Sequence, residues 1–268
     1  MLRGSVELRQ VVLLKDIPDL TEIKLNSETR APIVEGVKRK ISDVDKRALE
    51  EAIRLKESVG GEVIALSMGD EKTKTALLEA MAMGADSAFI VNEPGFKDID
   101  ANATCKVLKK ALDHIGEYDL ILAGEMSLDS LGSQVGPRLS ELTNLPLITY
   151  VKKLELSSGK VKAVRDLEDM DIVVETELPA LVCVVREINE PRIPSLMNIM
   201  RAKKKPQTIL NAGSLGLKVD EVKAQSYVKI LKVWAPKVER KQIKIEAETV
   251  EEAAKKLASA LKSEGVLQ

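Results

Sequence analysis

Short apolar runs alternate with helical periodicity through the first half of the chain, and few folds accept that pattern. Val11-Val12-Leu13-Leu14 is a β-type run. From Ser42 to Ser58, Ala48, Leu49, Ala52, Ile53 and Leu55 share one side of a helix, with Glu50, Glu51 and Lys56 expected on the solvent side. Ser42 or Asp43 suits its N-cap. Val63-Ile64-Ala65-Leu66 is the next strand, and Gly69 breaks it. Lys72 to Met83 is helical and closes at Gly84. Ala88 to Val91 is a strand, and Asn102 to Ile115 a helix with Val107, Leu108, Ala111, Leu112 and Ile115 as its stripe. Leu120 to Ala123 and the helix Ser133 to Leu142 complete the series. The pattern predicts an α/β fold with a doubly wound, mostly parallel, Rossmann-like sheet and helices on both faces. Such a sheet gathers its strand C-termini at one edge, where ligands bind.

From Leu147 the pattern changes. Leu147 to Leu156, the turn Ser157-Ser158-Gly159 and Lys160 to Val164 predict a hairpin. Asp171 to Thr176 is a further strand, and the wholly apolar Ala180 to Val185 belongs in the sheet centre. Arg186 to Lys218 shows no periodicity, and a segment of that kind is usually functional or partner-bound. A final helix is expected from Glu246 to Ser263, capped by Thr249 and stopped at Gly265. The expected division is an α/β nucleotide-binding unit over 1–210 and a C-terminal arm and helix over 211–268.

Composition removes several functions. Hydrophobic residues at 44% with charged residues at 31% argue against disorder. A net charge of −1 lacks the basic excess of a nucleic-acid binder, and aromatics at 2% leave no stacking platform. No apolar run is long enough for a membrane span, and no signal peptide is visible. Cys105 and Cys183 lie far apart in apolar contexts, which points to a reducing, cytoplasmic setting. His114 is the single histidine and reads as structural or exposed, so zinc and Ser-His-Asp chemistry are unsupported.

Four segments carry the chemistry. Gly124-Glu125-Met126-Ser127-Leu128-Asp129-Ser130-Leu131-Gly132-Ser133-Gln134-Val135-Gly136-Pro137 runs from a strand end into a helix start. Small residues and free N–H groups there suit a phosphate, although the loop is neither a Walker A nor a GxGxxG motif, and a plain βα turn reads equally well. Lys15, at the end of strand one, can neutralise a ligand charge; as a bland alternative it is a surface lysine at a turn. Ser42-Asp43-Val44-Asp45 begins a helix, where ordinary capping also explains it. In the fourth segment, Leu196, Met197, Ile199 and Met200 sit among charges between Pro191 and Pro206. Flexible apolar side chains suit a docking surface, and Arg201 to Lys205 would steer an acidic partner. A solvated charge run is the competing reading.

Asn189-Glu190-Pro191-Arg192, Ser195-Leu196 and Ile199-Met200-Arg201-Ala202-Lys203-Lys204-Lys205 closely resemble the signature of electron-transfer flavoprotein beta subunits. Lys15 with Pro18-Asp19, Asp45 with Glu50-Glu51-Ala52, Ala82 to Asp86, and Gly124 with Asp129 and Gln134 to Pro137 match in order. The resemblance implies an electron carrier subunit paired with a larger alpha subunit. FAD is held mainly by alpha, and an adenine nucleotide, AMP, sits in the beta subunit. The alternative is a bifurcating form with a second FAD accepting hydride from NADH. The resemblance lines the nucleotide pocket with Leu13, Lys15, Ser42 to Asp45, Met68 and Gly124 to Val135. Asp45 or Asp129 would meet ribose or adenine. It gives Pro191, Arg192, Leu196, Met197, Ile199 and Met200 to partner binding, with Leu196 as anchor. Acyl-CoA or other flavin dehydrogenases would donate, and a quinone-reducing or other acceptor would follow. A nucleotide sensor or hydrolase of α/β class, and an interaction module with an empty pocket, are the remaining readings.

Overall fold

The computed structural model describes residues 8–237 and 240–267. Its centre is a nine-stranded sheet. In chain order the strands are β1 (Arg9–Leu13), β2 (Glu62–Met68), β3 (Ser87–Val91), β4 (Leu120–Gly124), β5 (Leu147–Ser157), β6 (Lys160–Asp166), β7 (Asp171–Glu177), β8 (Ala180–Val184) and β9 (Gln207–Leu210). The helices are α1 (Asp43–Val59), α2 (Thr73–Met83), α3 (Ala101–Ile115), α4 (Val135–Thr143), α5 (Leu196–Ala202), α6 (Val219–Lys223) and α7 (Val250–Ser263).

Across the sheet the order is β7-β6-β5-β8-β4-β1-β2-β3-β9. Neighbours from β5 to β9 pair in parallel. The β5-β6-β7 meander is antiparallel, as the hairpin pattern predicts. The chain winds outward from β1 through β2 to β3. It then returns through α3 to β4 on the other flank of β1, so the winding reverses between β1 and β4. Ligands of open α/β sheets bind outside that point.

Successive strand residues face opposite sides of the sheet. Val12, Ala65, Leu122 and Val182 therefore pack in one apolar cluster with α1 and α2. Their neighbours Val11, Ile64, Ile121 and Leu181 pack in a second with α3 and α4. Ala212, Leu215 and Val222, beyond the boundary expected at 210, are buried in that second cluster. The stretch from Tyr227 to Trp234 exposes large apolar side chains, and no residue of α7 is buried. Thr249 caps α7, its Oγ1 accepting the Glu252 N–H at 3.2 Å.

Three expectations are corrected. The fourth helix begins at Val135 rather than Ser133, because Leu131 and Ser133 hold positive φ angles of 49° and 48° and cannot join a right-handed turn. The segment 186–218 is structured: it contains a 3₁₀ turn at Arg186–Ile188, then α5 and β9. Glu50 and Glu51 do not face solvent; they are 2% and 8% exposed. The chain from Asn189 to Arg192 crosses α1 and covers them.

Candidate functional site

The C-terminal ends of β1 and β4 meet the N-terminal end of α1, and Asp45 joins all three. Its Oδ2 accepts the Lys15 N–H at 2.8 Å, and its Oδ1 accepts the Gly124 N–H at 3.2 Å. Parallel strands diverge where their ladder ends, and this carboxylate ties the two chain ends across the switch point. Ser42 adds two links. Its N–H donates to the Lys15 carbonyl at 2.9 Å, and its Oγ accepts the Leu128 N–H at 3.4 Å. The Ser42 hydroxyl thus holds the facing loop and makes no cap bond to its own helix.

Burial raises the Asp45 carboxyl from its ordinary 3.8 to about 7, against the pull of the Lys15 and Gly124 N–H bonds. Burial also raises Glu125, with Glu187 nearby adding to it.

The loop from Glu125 to Gln134 joins β4 to α4 and folds back on the end of β1. Lys15 Nζ reaches Asp129 Oδ2 at 2.8 Å and Ser127 Oγ at 3.4 Å. Ser127 and Ser130 hydroxyls lie 2.8 Å apart, and the Leu131 N–H donates to the Ser127 carbonyl at 2.8 Å. Beyond that turn the N–H groups of Gly132, Ser133 and Gln134 donate to no acceptor among the described residues. Ser133 is left-handed and Gln134 right-handed, an alternation that turns successive N–H groups toward one concavity. The Gln134 side chain is engaged with Arg138 at 3.1 Å. Gly136 follows, and a Cβ there would stand 2.2 Å from Cys183 Sγ, so α4 approaches β8 as closely as its backbone allows. Burial pushes Cys183 up to about 12 and Cys105 to about 11, so both thiols are inert packing groups.

Of the residues expected at the pocket, Lys15, Ser42, Asp45, Gly124, Ser127, Leu128 and Asp129 converge. Leu13 and Val44 are buried beside them, and Met68 ends β2 among the apolar groups of the second cluster. Leu131, Gly132, Ser133 and Gln134 lie exposed on the loop, with Met126 half-buried. Asp43 points away, 3.2 Å from Lys40. Among the described residues no group of His, Cys, Asp and Glu is placed to hold a metal ion.

The segment expected to dock follows the crossing over α1, where Asn189 and Arg192 meet Glu51 and Glu50. Ile193, Leu196, Met197 and Met200 are 93%, 84%, 62% and 62% exposed. Arg192 is turned inward instead, its Nε donating to Glu50 Oε2 at 2.8 Å. Asn189 Nδ2 donates to Glu51 Oε2 at 2.9 Å and to the Arg47 carbonyl at 3.0 Å. Sequence reasoning missed this pairing. Its signal was present: adjacent carboxylates on α1 and a rigid Asn-Glu-Pro-Arg run elsewhere.

Among the described residues no helix is long and apolar enough to cross a membrane. The family model described as "Electron transfer flavoprotein domain" matches residues 32–215. The electron transfer flavoprotein subunit beta of Thermoanaerobacterium thermosaccharolyticum is 38% identical over 259 residues, 96% of this chain and 99% of its own. That of Bacillus subtilis is 38% identical over 94% of this chain and 97% of its own. A subunit of the caffeyl-CoA reductase-Etf complex of Acetobacterium woodii, CarD, is 33% identical over 97% of this chain and all of its own. The chain therefore belongs to the electron transfer flavoprotein family, among the beta subunits, whose role is carrying electrons.

Proposed function

We propose that this chain is the beta half of a cytoplasmic heterodimer that takes electrons from flavin dehydrogenases and passes them to a quinone-reducing or similar acceptor. FAD, held mainly by the alpha subunit, supplies the redox chemistry. This chain binds AMP at the β1/β4 switch point and presents the docking ridge.

The observation that carries the nucleotide assignment is the row of unpartnered N–H groups at Gly132, Ser133 and Gln134 beside the end of β4. They suit a phosphate, with Lys15 near enough to add charge. Leu13 and Met68 supply apolar wall. Asp45 holds the site's walls together, since both its oxygens already accept backbone N–H groups; that leaves Asp129 to meet ribose. Past residue 226, the arm's exposed Tyr227, Ile230, Leu231 and Trp234, and the stripe on α7, supply the surface that the alpha subunit covers.

The test is to co-express the chain with its alpha subunit, denature the purified complex and separate the released nucleotides. One FAD and one AMP per heterodimer are expected. Two FAD and no AMP would assign the cleft to a second flavin and with it NADH chemistry. A colourless complex without nucleotide would sink the proposal.

A further inference from the structure

We propose that Arg192 is a positioning residue: by forking across Glu50 and Glu57 of α1 it holds the apolar ridge Ile193–Met200 in docking geometry before any partner arrives. The inference rests on the docking role proposed above and adds what gives the ridge its shape.

A short helix whose apolar side chains face water has little reason to stay in place. α5 spans seven residues; only Ala202 is buried, with Ile199 packed half-buried against the core. Leu196 and Met200, one turn apart, point outward at 84% and 62% exposure. Helices this short are unstable without outside support. Beyond that limited packing, the support is covalent stiffness and charge. Pro191 and Pro194 restrict the backbone on either side of Arg192 and Ile193. The Arg192 guanidinium makes two forks. Nε and an Nη take Glu50 at 2.8 and 3.1 Å, while both Nη atoms take Glu57 at 2.5 and 3.0 Å. The Arg192 backbone N–H adds a third bond to Glu50 at 3.1 Å. Burial pushes the Glu50 carboxyl upward, and its bonds to Arg192 and Arg54 together outweigh that, leaving it below the ordinary value. Glu50 is therefore ionised and available as a fixed anchor.

The other end of the ridge is pinned as well. Lys205 Nζ donates to the carbonyls of Met81 and Ala85, at the C-terminal end of α2, at 2.9 and 2.5 Å. Ser195 caps α5, its Oγ accepting the Asn198 N–H at 3.2 Å. A ridge held at both ends loses little freedom on docking. Arg201, Lys203 and Lys204 are exposed beside it, so the matching surface is a flavin dehydrogenase with an apolar recess rimmed by carboxylates.

Lysine cannot reproduce two planar forks, so Arg192→Lys is an informative variant, and Arg192→Met removes the charge. Glu57→Gln breaks the outer fork alone, at a side chain 57% exposed, and leaves the buried Glu50 in place. Each variant is made in the full heterodimer, with flavin and nucleotide content as the folding control. Amide exchange over residues 193–202 is expected to rise about tenfold in both Arg192 variants and less in Glu57→Gln. Electron transfer from a purified acyl-CoA dehydrogenase should then show KM raised roughly tenfold with kcat nearly unchanged. Leu196→Ala should raise KM while leaving exchange as in the parent, which separates contact from positioning. Parent-like exchange in Arg192→Met and Glu57→Gln overturns the proposal. If the parent heterodimer takes no electrons from the dehydrogenase, that donor assignment fails, and the exchange experiment still decides the role of Arg192.

Discussion

A Cβ placed on Gly124 would stand 2.5 Å from Asp45 Oδ1 and 3.0 Å from the Asp45 nitrogen. The glycine and the carboxylate therefore form one device: the strand end comes close enough to donate its N–H because it carries no side chain. Gly124→Ala is expected to destabilise the chain by about 1–3 kcal/mol, since a backbone and a buried carboxylate must both move. If the cleft holds the nucleotide proposed above, the same variant of the heterodimer should lose most of it. Thermal unfolding and nucleotide content check both, and an unchanged melting point would show that the two groups can separate freely.

The buried Asp45 makes stability depend on pH. Its carboxyl titrates at 3.8 ordinarily and at about 7 in the fold. Between those values the folded chain keeps a proton that the unfolded chain has released. The resulting stabilisation is complete below 3.8 and disappears as pH rises through about 7. Urea midpoints measured from about pH 5 to pH 8 should fall in the parent, with a smaller slope in Asp45→Asn. Equal slopes in the two proteins would assign the titration to another group.

Gly136 and Cys183 are coupled by contact. Gly136→Ala alone drives a methyl into the thiol 2.2 Å away and is expected to cost about 1–3 kcal/mol. Cys183→Ala opens the room that methyl needs. The double variant should therefore be less destabilised than the two single changes added together, by roughly 0.5 kcal/mol or more. Additive losses would mean that α4 shifts as a unit and the contact is incidental.

Asn189→Asp tests the crossing over α1. The amide donates to a carbonyl and a carboxylate, and an aspartate would set a negative charge against both. Burial already raises Glu51, with the Asn189 hydrogen bond opposing it. The substitution should cost about 3 kcal/mol at neutral pH and less as the pH falls and a carboxyl takes up a proton. Denaturant unfolding at two pH values measures it; a loss independent of pH would point to geometry rather than charge.

The winding of the fold was legible because its strands are apolar on both faces and its helices carry clear stripes. Val11 and Val12, or Leu181 and Val182, serve opposite clusters, so their run of apolar residues says "central strand" without a partner being known. β9 was hidden for the opposite reason. It is short, it sits at the edge, and only Leu210 among its residues is buried. α5 was hidden because Leu196, Met197 and Met200 face outward, which blurs the stripe by which amphipathic helices are recognised. Glu50 and Glu51 read as solvent-facing because charge alone does not reveal that an arginine and an asparagine more than a hundred residues away will cover them. At the cleft, the residue types at the strand ends were readable in sequence. That Asp45 spends both its oxygens on backbone N–H groups depends on a closeness of chains that no local pattern encodes.

The segment proposed to dock leaves the sheet at β8, beside β4, and re-enters it as β9 at the far edge against β3. Both ends are thus stitched into hydrogen-bonded ladders of the same sheet. Lengthening or shortening such a strap would pull a strand out of register. Change along this strap is therefore confined to its side chains, while its length stays fixed by the architecture beneath it.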